Sequence, residues 1–340
     1  MLTKKFICPQ CKTQVSCQGN PGDHLLVECA KCGQKGTLVF HTKKPEVKRT
    51  GNSIEVKNLT KYYGKIRGIK DLTFSVKAGE IFGFLGPNGA GKTTTIRTLL
   101  GYLKPTGGEA YIFGRNIEDD IVEIKRNVGY IPGDLNLYGH LTGRQFLNYF
   151  MSLRDTDPSL LDELLSIFDV PLDRKIKGYS KGMKQKLGII QAFMDDPDMV
   201  IMDEPTSSLD PLLQQKFYDF LKREKKKGKT LFFSSHVLSE VDKICDRVGI
   251  IREGKLVALE DMETLKNKKG KVLRVKIKEK PEAFEGPKDM KIKDGWIQFV
   301  VSENINYWIK HLAKYTIVDL EINEFSLDDI FIHYYEGDHE

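Results

Sequence analysis

Residues 86–94, Gly-Pro-Asn-Gly-Ala-Gly-Lys-Thr-Thr, have the types and spacing of a loop that binds phosphate groups. The glycines let successive backbone N–H groups point at an anion, and the helix expected after the loop adds positive potential. Lys92 is expected to reach the β- and γ-phosphates of a nucleotide, and the Thr93 hydroxyl to bind Mg²⁺. The predicted nucleotide-binding residues of this loop are Gly86, Pro87, Asn88, Gly89, Ala90, Gly91, Lys92, Thr93 and Thr94.

Two acidic residues end an apolar run farther along the chain. Met-Val-Ile-Met at 199–202 reads as a buried strand, and Asp203 and Glu204 follow it directly. A strand that ends beside the phosphate-binding loop would let Asp203 hold the Mg²⁺ shell. Glu204 is then the natural base to polarise an attacking water. Together with the loop, these residues predict hydrolysis of a nucleoside triphosphate.

Four cysteines near the start of the chain form two C-x-x-C pairs, Cys8 with Cys11 and Cys29 with Cys32. The seventeen residues between the pairs fall within the spacing of four-thiolate zinc sites, so we predict a small zinc-binding module over 1–45. So short a segment buries too little apolar surface to fold without its metal. Two redox dithiols or unpaired thiols are the alternative. Cys17 and His24 are spare ligands, and Cys245 is expected to be a small buried apolar residue.

The length, composition and charge of the chain limit the classes of protein to which it can belong. A chain of 340 residues with 40% apolar and 29% charged residues is predicted to form two or three globular domains, which excludes a disordered protein. The formal charge of +6 is too small to identify a nucleic-acid-binding protein. Apolar runs are strand-sized and the N-terminus has no apolar leader, so we expect a soluble cytosolic protein. The lysine-rich stretches 222–229 and 266–280 are expected to be solvated surface.

The pattern of elements predicts three units. Residues 41–52 are polar and contain Pro45 and Gly51, which is typical of a linker. Strand-like and helix-like patterns alternate over 52–266 and predict a mainly parallel α/β sheet, with a purely helical insert between Leu141 and Asp196. A small α+β domain is expected over 267–340, with a last helix from Ser326.

The stretch 53–266 resembles the nucleotide-binding subunit of ATP-binding-cassette (ABC) transporters in its motifs and in their order. Besides the loop and the two acidic residues, Tyr63 precedes the loop as an adenine-stacking aromatic does. Ser-Lys-Gly-Met-Lys-Gln at 180–185 stands where the family has its L-S-G-G-Q signature, Ser-Ser-Leu-Asp at 207–210 follows the acidic pair, and His236 matches the family's switch histidine. Gly133 departs from the pattern, because the family has a glutamine there; Asp134 is the residue that follows.

The resemblance implies the fold, the partners and several roles. The fold would be a P-loop NTPase with a mixed sheet and a helical subdomain, preceded by a zinc ribbon and followed by an α+β domain. Ser180 and Gly182 would face the γ-phosphate held by a second copy or a paralogous cassette. His236 would contact the γ-phosphate, and Asp210 would couple the two sites.

The implied function is ATP hydrolysis that powers a separately encoded transmembrane permease, as in single-cassette exporters. The implied cofactors are ATP, Mg²⁺ and Zn²⁺, and the implied location is cytoplasmic, peripheral on the inner face of the membrane. The alternative is a soluble ABC-type ATPase acting on ribosomes or nucleic acid, suggested by the zinc module and the basic stretch 266–280. Such members usually carry two cassettes or a long coiled coil, so nucleic acid is not the expected partner.

Overall fold

The structure, a computed structural model, describes residues 2–8, 10–20, 23–39, 47, 51–153, 160–267, 271–279, 281, 284–287, 290–301 and 304–324. The helix predicted from Ser326 and most of the predicted linker lie outside these residues. Within them, no helix has the length and apolar character needed to cross a lipid bilayer.

The N-terminal cysteines lie in the turns of two hairpins. Strands β1 (Leu2–Ile7) and β2 (Gln14–Gly19) form the first antiparallel pair, and β3 (His24–Glu28) and β4 (Lys35–Val39) form the second. The two turns repeat one geometry, since the Cys8 carbonyl accepts the Lys12 N–H and the Cys29 carbonyl accepts the Gly33 N–H. Lys12 and Gly33 both have positive φ, 58° and 71°. Each C-x-x-C pair therefore sits on its own, equivalent turn.

The central sheet has six strands and brings the predicted motifs to one edge. Its order is β10 (Val128–Ile131), β11 (Met199–Asp203), β12 (Thr230–Ser235), β7 (Ile81–Leu85), β13 (Arg247–Arg252) and β14 (Lys255–Asp261). All neighbours are parallel except β13 and β14. Strands β7, β11 and β12 are buried along their whole length, as expected for apolar strands covered on both faces. The mainly parallel α/β sheet predicted from the sequence is confirmed.

A second, antiparallel sheet covers part of the first. Its order is β6 (Ile66–Lys77), β5 (Asn52–Tyr63), β8 (Gly107–Ile112) and β9 (Arg115–Asn116). The apolar alternation in the sequence predicts strands only at 53–56 and 72–76, because bulges along the β5–β6 ladder interrupt it elsewhere. The sheets share a core in which the rings of Phe74 and Phe82 stack with centroids 5.7 Å apart, with Phe232 beside them.

Helices follow the strands of the central unit and fill the stretch from 141 to 196. The predicted helical insert is confirmed for the described residues, where one helix begins at Leu161. The helices are α1 (Lys92–Leu99), α2 (Ile121–Arg126), α3 (Gly143–Leu153), α4 (Leu161–Ile167), the 3₁₀ turn Ile176–Gly178, α5 (Lys181–Phe193), α6 (Pro211–Lys226), α7 (Leu238–Ile244) and α8 (Met262–Asn267).

The C-terminal residues form a third unit with its own core. Four antiparallel strands lie in the order β16 (Lys291–Lys293), β17 (Trp296–Val301), β15 (Lys271–Ile277) and β18 (Ile317–Glu324). Helix α9 (Ile305–Leu312) contributes Leu312 to a core with Leu273, Val275 and Phe299. A sheet with a helix on it is the arrangement that the α+β prediction describes.

One lysine of the predicted solvated surface is buried. Lys229 precedes β12 with only 5% of its side chain exposed, and its Nζ lies 2.8 Å from Oε2 of Glu224, which is fully buried. Asp196 is a further partner of the same ammonium. The expectation was wrong here because the lysine-rich stretch 222–229 runs from the end of α6 into the central sheet, where charges must pair.

Candidate functional site

The phosphate-binding loop joins β7 to α1 and fits tightly into the fold. A Cβ on Gly86 would lie 2.4 Å from the Ile251 carbonyl oxygen, so only glycine fits at that position. Gly91 caps α1 with φ at 108°, a conformation that also favours glycine. The Lys92 side chain is 5% exposed, and its Nζ donates to the carbonyl oxygens of Gly86 (2.6 Å) and Pro87 (3.1 Å).

The predicted metal-binding residues are adjacent. The Thr93 hydroxyl donates to Oδ2 of Asp203 at 2.7 Å, and the Ser234 hydroxyl donates to Oδ1 of the same carboxylate at 2.6 Å. A hydroxyl and a carboxylate are oxygen donors of the kind Mg²⁺ prefers, so this pair fits the predicted ion. Both residues open onto a cleft of about 290 Å³, which Arg97, Gly133, Asp134 and Glu204 also line.

Glu204 lies between a lysine and a histidine. Its Oε1 is 3.3 Å from Lys92 Nζ, and its Oε2 is 3.1 Å from His236 Nδ1. The backbone of Glu204 has φ at 47°, in the left-handed region, and its N–H donates to both the carbonyl oxygen and the hydroxyl of Ser234 at 3.2 Å. Non-glycine residues in this conformation cluster at functional sites, where surrounding contacts hold them. The carboxylate is thus fixed in place but one quarter exposed.

Gly133 lies directly against Asp203. Its φ is not positive, and a Cβ there would be 3.4 Å from Asp203 Oδ2, an ordinary contact distance. The backbone therefore does not require glycine at this position, and the missing side chain leaves room beside the Asp203 carboxylate. Asp134 lines the same cleft from the next position.

Ser180 and Asp210 each cap a helix. Ser180 Oγ accepts the Met183 N–H at 3.2 Å at the start of α5, as the sequence predicted. Asp210 Oδ1 accepts the Leu213 N–H at 2.9 Å at the start of α6, a role our sequence reasoning missed although Asp before Pro signals such a start. Gly182 lies near the Ser208 carbonyl oxygen. Among the described residues that line the cleft, neither Ser180 nor Gly182 appears.

Tyr63 ends strand β5 close to the phosphate-binding loop. Its hydroxyl is 3.5 Å from the Thr94 hydroxyl, and 44% of the residue is exposed. The ammonium of Lys61 lies 5.7 Å from the ring centroid. The ring therefore lies beside the loop and is partly exposed; stacking on a base stays a prediction.

Known proteins are similar in sequence to the part of the chain that carries this nucleotide site. A family model described as "ABC transporter" matches residues 69–207. The bacitracin transport ATP-binding protein BcrA of Enterococcus faecalis is 33% identical over 291 residues, which are 82% of this chain and 94% of that protein. The chain belongs to the ABC transporter ATP-binding proteins.

Two further similarities agree with this assignment. An uncharacterised ABC transporter ATP-binding protein of Nostoc is 41% identical over 210 residues, and the match spans 62% of that protein's length. The dimeric structure of a bacterial ABC transporter cassette superposes with a TM-score of 0.57 at 25% identity, covering 62% of this chain and 98% of that one. As a member of this family, the ABC ATP-binding protein is an ATPase whose hydrolysis powers a membrane permease.

The ABC ATP-binding protein also carries a thiol cluster outside the cassette. The Sγ atoms of Cys8, Cys11, Cys29 and Cys32 all lie within 4.8 Å of one another, with Cys8 to Cys32 at 3.6 Å and Cys11 to Cys29 at 3.5 Å. All four are free thiols. The hydrogen bond with the Thr13 hydroxyl lowers the pKa of Cys11 to about 6.

The other cysteines of the chain have no part in this cluster. Cys17 lies outside it, and the side chain of His24 is not among the described atoms. Cys245 is 8% exposed, and burial raises its pKa well above the usual value. It behaves as the small buried apolar residue that the sequence predicted.

Proposed function

We propose that this ABC ATP-binding protein hydrolyses ATP with Glu204 as the general base and drives an exporter permease. The observation that carries the proposal is the position of the Glu204 carboxylate, between Lys92 of the phosphate-binding loop and His236. A base must be held at hydrogen-bonding reach of its substrate and its orienting partner, and this carboxylate is both held and accessible.

Each neighbouring residue has a role in this proposal. Lys92 and the backbone amides of residues 86–91 bind the phosphates, and Tyr63 supports the base. Thr93 and Asp203 would hold Mg²⁺, which supplies positive charge to the phosphate oxygens when bound. His236 orients Glu204 through Nδ1 and leaves its other ring nitrogen for the γ-phosphate. The water that attacks is oriented by Glu204, which takes its proton.

A second cassette completes the site in this proposal. Ser180 caps α5 and Gly182 lies in its first turn, where the free N–H groups of a helix suit an anion. We infer that they serve the γ-phosphate of a partner cassette, so that two chains related by twofold symmetry enclose two nucleotides. Asp210, on the loop between Glu204 and α6, would couple these two sites.

We propose export as the direction of transport. The protein from Enterococcus faecalis, whose match extends beyond the cassette into the C-terminal unit, is named for bacitracin transport. We infer that this chain works beneath the inner face of the cell membrane, bound to a permease that exports its substrate.

The thiol cluster is proposed to be a zinc site. Four sulfur atoms converging from two equivalent turns match the ligand number and type of closed structural zinc sites. The ion would tie the β1–β2 hairpin to the β3–β4 hairpin, and the three units would be a zinc ribbon over 1–45, the cassette over 52–266 and an accessory domain over 267–340.

Light scattering of the Glu204→Gln protein with Mg-ATP tests the two-chain site. The expected result is a doubling of mass on adding ATP, because nucleotide is bound but not turned over. Ser180→Asp in the same background is the matched variant, since aspartate keeps the helix cap while placing a negative charge toward the phosphate. We expect it to retain its melting temperature and remain a monomer.

Two results would contradict the proposal. A Ser180→Asp protein that still doubles its mass with ATP would remove the signature from the nucleotide site. A wild-type protein that co-purifies with RNA or ribosomes rather than with an integral membrane protein, and whose ATPase rate rises with salt-sensitive RNA binding, would replace transport by the soluble alternative.

A further inference from the structure

We propose that Glu240 is a positioning residue that holds the loops carrying Glu204 and His236 in register. The inference rests on the proposed role of Glu204 as base and adds a third carboxylate to the site, one that belongs to none of the motifs predicted from the sequence. Glu240 lies in the first turn of α7, two residues after the helix begins at Leu238.

The carboxylate of Glu240 bridges the two catalytic loops. Its Oε1 accepts a hydrogen bond from the Thr206 hydroxyl at 2.7 Å, and its Oε2 accepts one from the Ser235 hydroxyl at 2.6 Å. Thr206 lies two residues after Glu204, on the loop that follows β11. Ser235 is the last residue of β12 and directly precedes His236. One side chain therefore connects the carboxyl ends of two neighbouring parallel strands.

Both hydroxyls are buried, so their bonds to Glu240 are not easily replaced. Thr206 is 1% exposed and Ser235 is 2% exposed. A buried hydroxyl without a partner is costly, and a carboxylate that accepts a hydrogen bond makes a stronger one than a neutral group does. Ser235 Oγ also accepts the Val237 N–H at 2.9 Å, which fixes the turn on which His236 stands.

Two adjacent serines at the end of β12 donate hydrogen bonds to two different carboxylates. Successive side chains of a strand point to opposite faces, so Ser234 and Ser235 at the end of β12 face different sides. Ser234 donates to Asp203 and receives the Glu204 N–H, whereas Ser235 donates to Glu240. Asp203 is therefore bonded to the end of β12 on the face where Ser234 lies, and Glu240 is bonded to it on the opposite face.

Side chains of helix α6 contact both Thr206 and the Glu240 carboxylate. Gln214 Nε2 donates to the Thr206 carbonyl oxygen at 3.2 Å, so Thr206 is held by both its backbone and its side chain. Tyr218, 1% exposed, lies beside the Glu240 carboxylate; burial and this carboxylate both raise the tyrosine pKa. The region around Glu240 is thus packed, and a change in the carboxylate is transmitted to the loops rather than absorbed by solvent.

ATPase kinetics of Glu240→Ala test the role, with Glu240→Gln as the conservative variant. Displacing a catalytic group by about 1 Å costs on the order of 10²-fold in rate. We expect kcat of Glu240→Ala to fall about 10- to 100-fold, with the Kd for ATP within about threefold of wild type. Glu240→Gln keeps one oxygen acceptor and is expected to recover most of the rate. If the alanine variant fails to fold, Ser235→Ala takes its place, because it removes the hydrogen bond between Glu240 and the end of β12 and is expected to lower kcat.

A buried carboxylate elsewhere in the cassette provides the matched control. Glu80 is 7% exposed and accepts hydrogen bonds from the Lys77 N–H (2.7 Å) and from Arg247 (3.1 Å), before the other end of β7. Glu80→Gln is expected to lower the melting temperature with kcat unchanged below it. The control separates a loss of stability from a loss of alignment.

Double variants show whether Glu240 acts through the loops. Ser235→Ala combined with Glu240→Ala should be no slower than the slower single variant, because both break the same connection. In the Glu204→Gln background, Glu240→Ala should change the residual rate less than twofold. An additive loss in either pair, or a wild-type kcat for Glu240→Ala below its melting temperature, would overturn the inference.

Failure of the inference and failure of the proposed function have different signatures. If Glu204→Gln turns over ATP at the wild-type rate, the base assignment falls and Glu240 loses the residue it is proposed to align. If Glu204→Gln is inactive while Glu240→Ala is fully active, the base assignment stands and only the bridging role is rejected.

Discussion

Lys92 Nζ lies 3.3 Å from Oε1 of Glu204, so the lysine of the phosphate-binding loop contacts the proposed base. An ammonium has three N–H donors, and Lys92 uses the other two on the carbonyl oxygens of Gly86 and Pro87. Binding of phosphate oxygens by Lys92 must exchange at least one of these contacts. The contact with Glu204 is the longest of the three and the one with a charged partner.

The contact between Lys92 and Glu204 joins a residue that binds ATP to a residue that acts in hydrolysis, so substitutions of the two should change different quantities. Lys92→Ala should weaken ATP binding about 10- to 100-fold, because it removes a charged hydrogen bond worth about 1.5–3 kcal/mol. Glu204→Gln should leave ATP binding unchanged and lower kcat about 10²- to 10⁴-fold, because glutamine cannot accept the proton. Equilibrium dialysis and phosphate release measure the two quantities. Glu253→Gln, an exposed residue paired with Arg67, is the control and should change neither.

Gly133 is expected to tolerate a side chain, whereas Gly129 is not. A Cβ at 133 would meet Asp203 at 3.4 Å, but a Cβ at 129 would lie 2.2 Å from the Ala192 carbonyl oxygen. Gly133→Gln should therefore change the free energy of unfolding by less than about 0.5 kcal/mol, and Gly129→Ala should lower it by about 1–3 kcal/mol. Urea denaturation measures both. Equal losses would show that the backbone at 133 requires glycine after all.

The thiol cluster predicts about one zinc ion per chain. Cys8→Ser or Cys32→Ser should abolish bound zinc, since a closed structural site needs all four ligands. Cys17→Ser leaves the cluster intact and should bind zinc as the wild type does. Elemental analysis of the purified protein gives the stoichiometry, and a chelator should make the N-terminal hairpins sensitive to protease. Zinc retained by Cys8→Ser would assign the ion to other ligands.

The buried pair of Lys229 and Glu224 predicts a strong dependence of stability on its partners. Lys229→Ala leaves the buried Glu224 with the partly exposed Lys227 and Arg223 as partners, and should cost about 3–5 kcal/mol. Replacing both residues, by Lys229→Met with Glu224→Leu, should restore most of that loss. Lys226→Ala, on the exposed side of α6, should change stability by less than about 0.5 kcal/mol. Thermal and urea unfolding of the four proteins make the comparison.

Local patterns in the sequence were enough to predict the loop, its flanking strand and helix, and the apolar strand that ends at Asp203. They succeeded because each depends on neighbouring residues: glycines that free the backbone, continuous apolar runs that indicate strands buried on both faces, and a serine that caps α5. The pairs of cysteines were equally plain, since their spacing is a local property of two turns.

The long antiparallel sheet, the burial of Lys229 and the bridge made by Glu240 were decided only by the tertiary structure. Bulges break the alternation along β5 and β6, so their full length emerges only once the strands pair. In the sequence Lys229 cannot be told from the exposed lysines around it, and only the position of Glu224 beside the start of β12 shows that it is buried. Glu240 joins residues 34 and five positions away, on two loops that meet because parallel strands bring their carboxyl ends to one edge. The 34 positions between Thr206 and Glu240 leave no local pattern for their contact, and only the packed sheet brings these two residues together.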